Sequence, residues 1–464
     1  MKDFVGGWGA SSERSRVWQR RRSNALVEVA AIQKVVHELP VASAASEAFL
    51  SAYEALRRQP ASTVLHVVGS PSGLAWLRRV FLAIDVLKER APPSTITDAL
   101  NAGQSVQELL DELLAAFPVF ALGAMRISGT SDDGRLHAII ERPTTIPGTA
   151  LHVRPGPSRS AAVTSRSGEI LVERGEVLTL VEAQGRGFRV VVDNRDALLG
   201  TGCADRSVMN TTDEMARVLG ELFARAMDVL DHTVPGAVDE AALTYQVVAP
   251  SSLGGALAFP SSSNSTVLGM SVFSIPPTAE ILAEMIVHEM SHNHLFALQD
   301  FDPLLDPKVH GEGWLPENLY SPWRDDPRPL NGIFHAVFVF TRVAVYWLAV
   351  IGKGESEALE DLAKRRLAAL AIQLQIARYS IRKYASLTDA GERFFGALEC
   401  ALDDVLRQCA SLGLENIQPS YTEVASLRDG RGSARERQRE HLARFRQQHG
   451  AHASADVPDS MVTL

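Results

Sequence analysis

The chain has 464 residues, long enough for two or three domain-sized units and for a large core that needs no disulfides. Hydrophobic residues make up 46% and charged residues 22%, which excludes a wholly disordered chain. Lys plus Arg number 46 against 55 Asp plus Glu, and the net charge of −9 argues against a nucleic-acid binder, whose basic face must pair with phosphates. Cys203, Cys400 and Cys409 are the three cysteines, so neither a disulfide framework nor a CxxC-type zinc or iron–sulfur pattern is encoded. A cytoplasmic protein of the reducing cytosol is expected.

Five arginines fall between Arg14 and Arg22, but no apolar stretch follows them, so a secretory signal is not expected. Residues 14–130 are predicted mostly helical, with apolar residues at helical spacing over 25–39, 74–87 and 106–116. From Val119 the texture turns toward short strands at 138–140, 177–181 and 190–192, and the turn 184–187 predicts a hairpin. Residues 143–168, rich in Pro, Gly, Ser and Thr, are expected to be turns or a mobile loop. A helix is predicted over 212–230 and strands over 243–248 and 266–273, with Ser261 to Ser265 as a loop. Pro276-Pro277-Thr278 then opens a strong helix to about Leu298.

A Pro- and Gly-rich connection covers 302–332, and helices are expected over 333–351, 356–385 and 389–411. The apolar run 333–351 carries His335 and Arg342, and a mid-span arginine costs about 2.5–3.5 kcal/mol to insert, so it reads as a buried core helix and no membrane partner is expected. Seven arginines from Arg428 to Arg446 suggest a solvated helix, a disordered arm or a partner-binding arm. The expected class is mainly α with a smaller β-rich region (α+β). Four regions are expected: helical 1–130, β-rich 131–205 with possible peptide contact, metal-binding 206–415, and a polar Arg-rich tail 416–464.

The sharpest signal is His288-Glu289-Met290-Ser291-His292, an HExxH sequence inside a predicted helix. Residues i and i+4 share a helical face, so both imidazoles can meet one metal ion with Glu289 beside it. The longer zinc-protease pattern HExxHxxGxxH is excluded, because Leu295 and Leu298 stand at its Gly and third His positions. A third ligand could come from Glu312, Glu317 or His335. Arg342 lies seven residues beyond His335, on the same helical face and about 10 Å along the axis. Its side chain should lean back toward His335. A buried guanidinium there wants a carboxylate. If the protein supplies none, a five-carbon oxo-diacid such as 2-oxoglutarate has the length to span metal and guanidinium. Arg324 and Arg328, in the rigid loop 321–329 with Trp323 and three prolines, either pair with nearby acids or serve a ligand.

At these residues the chain resembles a known family. HEMSHNH (288–294) followed by YSPWRDDPRPLNGIFHAVFVFTR (320–342) is similar to the HEXXH motif-containing peptide-modification proteins, described as α-ketoglutarate-dependent HExxH-type peptide β-hydroxylases. The specific part covers about 278–350, some 15% of the chain. The resemblance implies a mononuclear iron(II) enzyme that uses 2-oxoglutarate and dioxygen to hydroxylate a side-chain β-carbon of a ribosomally made precursor peptide. It implies His288 and His292 as ligands, His335 as the third, and Arg342 or Arg324 as the co-substrate anchor. This departs from the usual two-His, one-carboxylate set. The alternatives are a zinc metallopeptidase with Glu289 as general base and a metal-stabilised binding protein without catalysis.

Overall fold

The computed structural model describes residues 7, 12–38, 43–92, 95, 104–130, 136–166, 168–196, 199, 211–252, 259–310, 319–353, 356–414, 433–449, 457–458 and 461. Serine caps start three of the N-terminal helices. The set is α1 (Ser12–Glu38), α2 (Ala44–Arg57), α3 (Ala61–Val68), α4 (Pro71–Leu87), α5 (Val106–Ala116) and α6 (Pro118–Ser128). Ser43, Ser70 and Ser105 each accept a backbone N–H of the first turn, and Ser105 forms a reciprocal capping box with Glu108. Their apolar faces meet around Phe49, Trp76 and Phe117, whose rings sit 4.7 Å apart at the Phe49–Phe117 and Trp76–Phe117 contacts.

Strands follow: β1 (Ala138–Ile140), β2 (Thr144–Thr145), β3 (Leu151–Pro155), β4 (Ala161–Arg166), β5 (Glu169–Glu173), β6 (Gly175–Thr179), β7 (Val181–Gly185) and β8 (Phe188–Val192). Three of them therefore occupy the stretch expected to be turns or a mobile loop. Proline and glycine there separate short strands rather than dissolving them, as at Gly148, whose φ of 75° makes the β2–β3 turn. The predicted hairpin is present: β7 and β8 pair antiparallel from Val181↔Val192 to Gly185↔Phe188, with Gly187 at φ 82° in the turn.

The second half begins with α7 (Asp213–Thr233) and α8 (Ala237–Thr244), then β9 (Val247–Pro250), β10 (Ser261–Ser263) and β11 (Met270–Phe273). These strands join the hairpin in one sheet of order β10-β11-β9-β8-β7, parallel at β11/β9 and β9/β8. The residues lead one to expect a strand over 243–248 and a loop at 261–265. Instead α8 runs to Thr244, and the serines form an edge strand paired with β11. A buried partner strand overrides the weak strand propensity of serine.

The remaining helices are α9 (Ala279–Gln299), the short α10 (Pro307–His310), α11 (Leu330–Ile351), α12 (Glu357–Tyr384), α13 (Asp389–Ser411) and α14 (Ala434–His449). One core gathers α7–α9 and α11–α14 against the five-stranded sheet; the other holds α1–α6 with β1, β3 and β4. Helix α11 is long and apolar enough to cross a membrane, but 72% of its most apolar window is buried inside the fold, as a core helix requires. The Arg-rich tail is corrected for residues 434–449. They form no solvated arm: α14 docks with Arg437, Gln438, Leu442 and Phe445 buried. Leu442 and Phe445 supply the apolar seam that the five arginines of this stretch had masked in the sequence.

Candidate active site

Thr278 caps α9, and the helix is buried on nearly every side. Its polar residues divide by angle. Glu284, His288, His292 and Phe296 recur every four residues and line a cavity of about 630 Å3. His294, some 200° around the helix from His292, faces away from it.

His335, near the start of α11, enters the same cavity. Its Nδ1 lies 3.3 Å from His292 Nδ1, and its Nε2 lies 2.7 Å from Gln299 Oε1. With the amide oxygen as acceptor, Nε2 donates and the His335 lone pair sits on Nδ1, facing His292. Gln299 is held in turn by its amide, which donates to Asn331 Oδ1 at 3.0 Å. The His288–His292 and His292–His335 ring centres are 4.9 and 5.5 Å apart. Burial pushes His288 and His335 well below the usual imidazole range and His292 down to about 4. All three are neutral near pH 7, the form that ligates metals.

Three neutral imidazoles are a donor set whose chemistry suits a borderline metal. In this structure His292 and His335 meet through their Nδ1 atoms at hydrogen-bond distance, and the His288 ring packs edge-on against His292. Among the described residues, no group of three or more His, Cys, Asp or Glu side chains is arranged to hold an ion.

Glu289 is 1% exposed. Its carboxylate accepts from Ser261 Oγ at 2.6 Å and from Ser263 Oγ, both on β10. Burial drives its pKa up to about 7, against the opposing pull of those two hydroxyls. Asn293 Nδ2 donates to Ser271 Oγ at 3.1 Å, a second tie between α9 and the sheet. Glu289 thus braces the edge strand to the helix beside His288, whose Nε2 is 4.0 Å from the Glu289 carboxylate.

Three arginines also line the cavity. Arg324 and Arg328 both line the cavity and share Asp326, at 2.7 and 3.4 Å. One carboxylate answers two guanidiniums here, and burial followed by the neighbouring Arg324 pushes the Arg328 pKa down. Arg366 also lines the cavity but is paired with Glu284, which accepts from Trp347 Nε1 at 2.8 Å. Trp323 stacks on Phe340 at 4.6 Å and 14°, and Phe340 meets His288 edge-on.

The expectation for Arg342 is corrected. It is buried, but it does not line the cavity. Its guanidinium lies 2.5 Å from the carboxylate of Glu240 on α8, which also takes His294 Nε2 at 2.9 Å. Arg14 lies 3.6 Å from the same carboxylate, and Trp18 Nε1 donates to His294 Nδ1 at 2.9 Å. A protein acid satisfies the arginine, so no ligand carboxylate is called for at that point. Helical spacing put Arg342 near His335 correctly along the axis, yet the guanidinium reaches the His294 side of α9.

Ser261, Ser263, Gln299, Glu284 and Arg366 belong to the site without being expected there from the sequence. Glu284 had a signal, standing one helical turn before His288; the serines had none, because their partner lies 26 to 28 residues away. Glu312 and Glu317, the alternative ligands, lie outside the described residues. The chain matches no protein-family model and no curated protein sequence.

Proposed function

We propose that this chain is a cytoplasmic iron(II)- and 2-oxoglutarate-dependent hydroxylase acting on a side-chain β-carbon of a ribosomally synthesised peptide. The observation that carries the reading is the shared cavity, which His288, His292, His335, Arg324 and Arg328 all line. Iron(II) at the imidazoles would supply dioxygen activation, with 2-oxoglutarate oxidised to succinate and carbon dioxide as a peptide C–H becomes C–OH. Arg328 holds the distal carboxylate of the co-substrate, since Arg324 makes the shorter bond to the shared Asp326. Trp323 and Phe340 form the apolar side that keeps water from the reacting carbon. Ser261 to Ser263 form a sheet edge in the cavity wall, where an extended peptide can add as a strand.

A zinc peptidase is the second reading, favoured by one observation: a carboxylate near pKa 7 beside the HExxH histidines suits a general base. Against it, the Glu289 carboxylate is already engaged by two serine hydroxyls. The deciding experiment is anaerobic purification, addition of iron(II), and measurement of succinate from 2-oxoglutarate with and without candidate peptides. Peptide-stimulated succinate is the expected result. Zinc-dependent peptide cleavage with no succinate would replace it with the peptidase.

The anchor assignment has its own test. Arg328→Lys should raise the KM for 2-oxoglutarate by about tenfold or more, because an ammonium cannot reproduce the two-pronged grip. A KM unchanged in this variant and raised in Arg324→Lys would move the anchor four residues back along the loop.

A further inference from the structure

A second cavity, of about 550 Å3, lies beneath the C-terminal helix α14 and shares Trp323, Arg324, Phe340 and Arg366 with the wall of the histidine cavity. The proposed hydroxylation leaves it without a role. Four arginines line it, Arg437 and Arg444 on α14 besides the two shared ones, against two carboxylates, Asp325 and Asp326. Those carboxylates are engaged, Asp326 by Arg324 at 2.7 Å and Asp325 by His441 at 3.3 Å.

Two further atoms of the lining point to what the cavity takes. The indole N–H of Trp323 is buried without an acceptor among the described residues. Gln373 Oε1 is buried without a donor, although its amide nitrogen donates to Pro322 O at 3.2 Å. Buried polar atoms without partners cost free energy that a ligand recovers by supplying them. Arg324 and Arg366 are paired with Asp326 and Glu284, so the indole and the exposed Arg444 are the groups that can take an acceptor with negative charge, and the amide oxygen asks for an N–H. A carboxylate on an amide-linked chain supplies both.

We infer that this cavity is a recognition pocket for an acidic side chain of a peptide whose neighbouring residue occupies the histidine cavity. The common wall of Trp323 and Phe340 makes the two cavities adjacent, so one extended segment reaches both. Placement of the neighbouring residue rests on the peptide-hydroxylase reading; the carboxylate preference does not.

The test therefore uses the full chain without metal, by calorimetric titration. The probes are an N-acetylated, C-amidated pentapeptide with a central glutamate, its glutamine counterpart, and succinate. The glutamate peptide should bind about tenfold more tightly than the glutamine peptide, the usual advantage of a charge-assisted contact. Arg444→Glu, at an exposed position of α14, and Gln373→Leu should each shrink that preference with thermal stability kept. Equal affinity for the two peptides, or a preference untouched by both substitutions, would overturn the proposal. So would succinate binding as tightly as the glutamate peptide, which would make this a small-dicarboxylate site. A chain that keeps the preference but forms no succinate loses the hydroxylase reading and keeps the pocket; the reverse outcome removes the pocket alone.

Discussion

His292→Ala is expected to bind no iron(II) and to form no succinate from 2-oxoglutarate. His292 is the middle imidazole of the cluster, within 4.9 Å of the His288 ring and 5.5 Å of His335, so its loss separates the two that remain. The loss should exceed about 100-fold, the upper end for removing a group that merely orients a ligand. Glu289→Gln is the paired control. Glutamine is isosteric with the protonated acid that burial already favours, and its amide can still bond Ser261 and Ser263. It should keep iron binding and lose only roughly 10–100-fold in turnover. Metal content by elemental analysis and succinate release together read the contrast. A Glu289→Gln chain as dead as His292→Ala, with zinc-dependent cleavage in the wild type, would make Glu289 the base of a peptidase.

The second large effect concerns stability. Glu240→Ala should destabilise the fold by about 3–5 kcal/mol, because it leaves Arg342 buried beside Phe338 without its carboxylate. Urea-midpoint measurements on Glu240→Ala against the wild type read this directly. The same pair predicts a pH dependence. Burial alone would raise the Glu240 pKa, but Arg342 and His294 outweigh it and hold it at about 2, below the ordinary 4.5. A depressed carboxylate contributes stability that is present above the unfolded pKa and is lost as pH falls through the folded one. The stability gap between wild type and Glu240→Gln should therefore be flat from pH 8 to 5 and narrow from about pH 4.5 toward 2. A gap that instead widened in acid would show that the carboxylate is not ionised in the folded chain.

Much of the candidate site was legible because it is local. His288 and His292 share a face for no reason beyond four residues at 100° each, and Pro276-Pro277-Thr278 marked where that helix begins. The β7–β8 hairpin and the burial of α11 were equally readable, one from its turn residues and the other from an apolar run in which His335 and Arg342 would be costly in lipid. What spacing could not supply was the choice of partner. Arg342 was expected to want a carboxylate and has one, but only the meeting of α8, α9 and α11 selects Glu240 over a ligand. Ser261 and Ser263 read as loop residues until β11 gave them a strand to pair with and Glu289 a carboxylate to serve. The arginines of residues 434–449 hid two apolar residues that dock the helix over the cavity. Helical faces and chain breaks could be read from the residues alone, since these follow from interactions within a few residues. The tertiary structure alone decided which buried charges meet, because a pair 102 residues apart forms only when packing brings its two helices together.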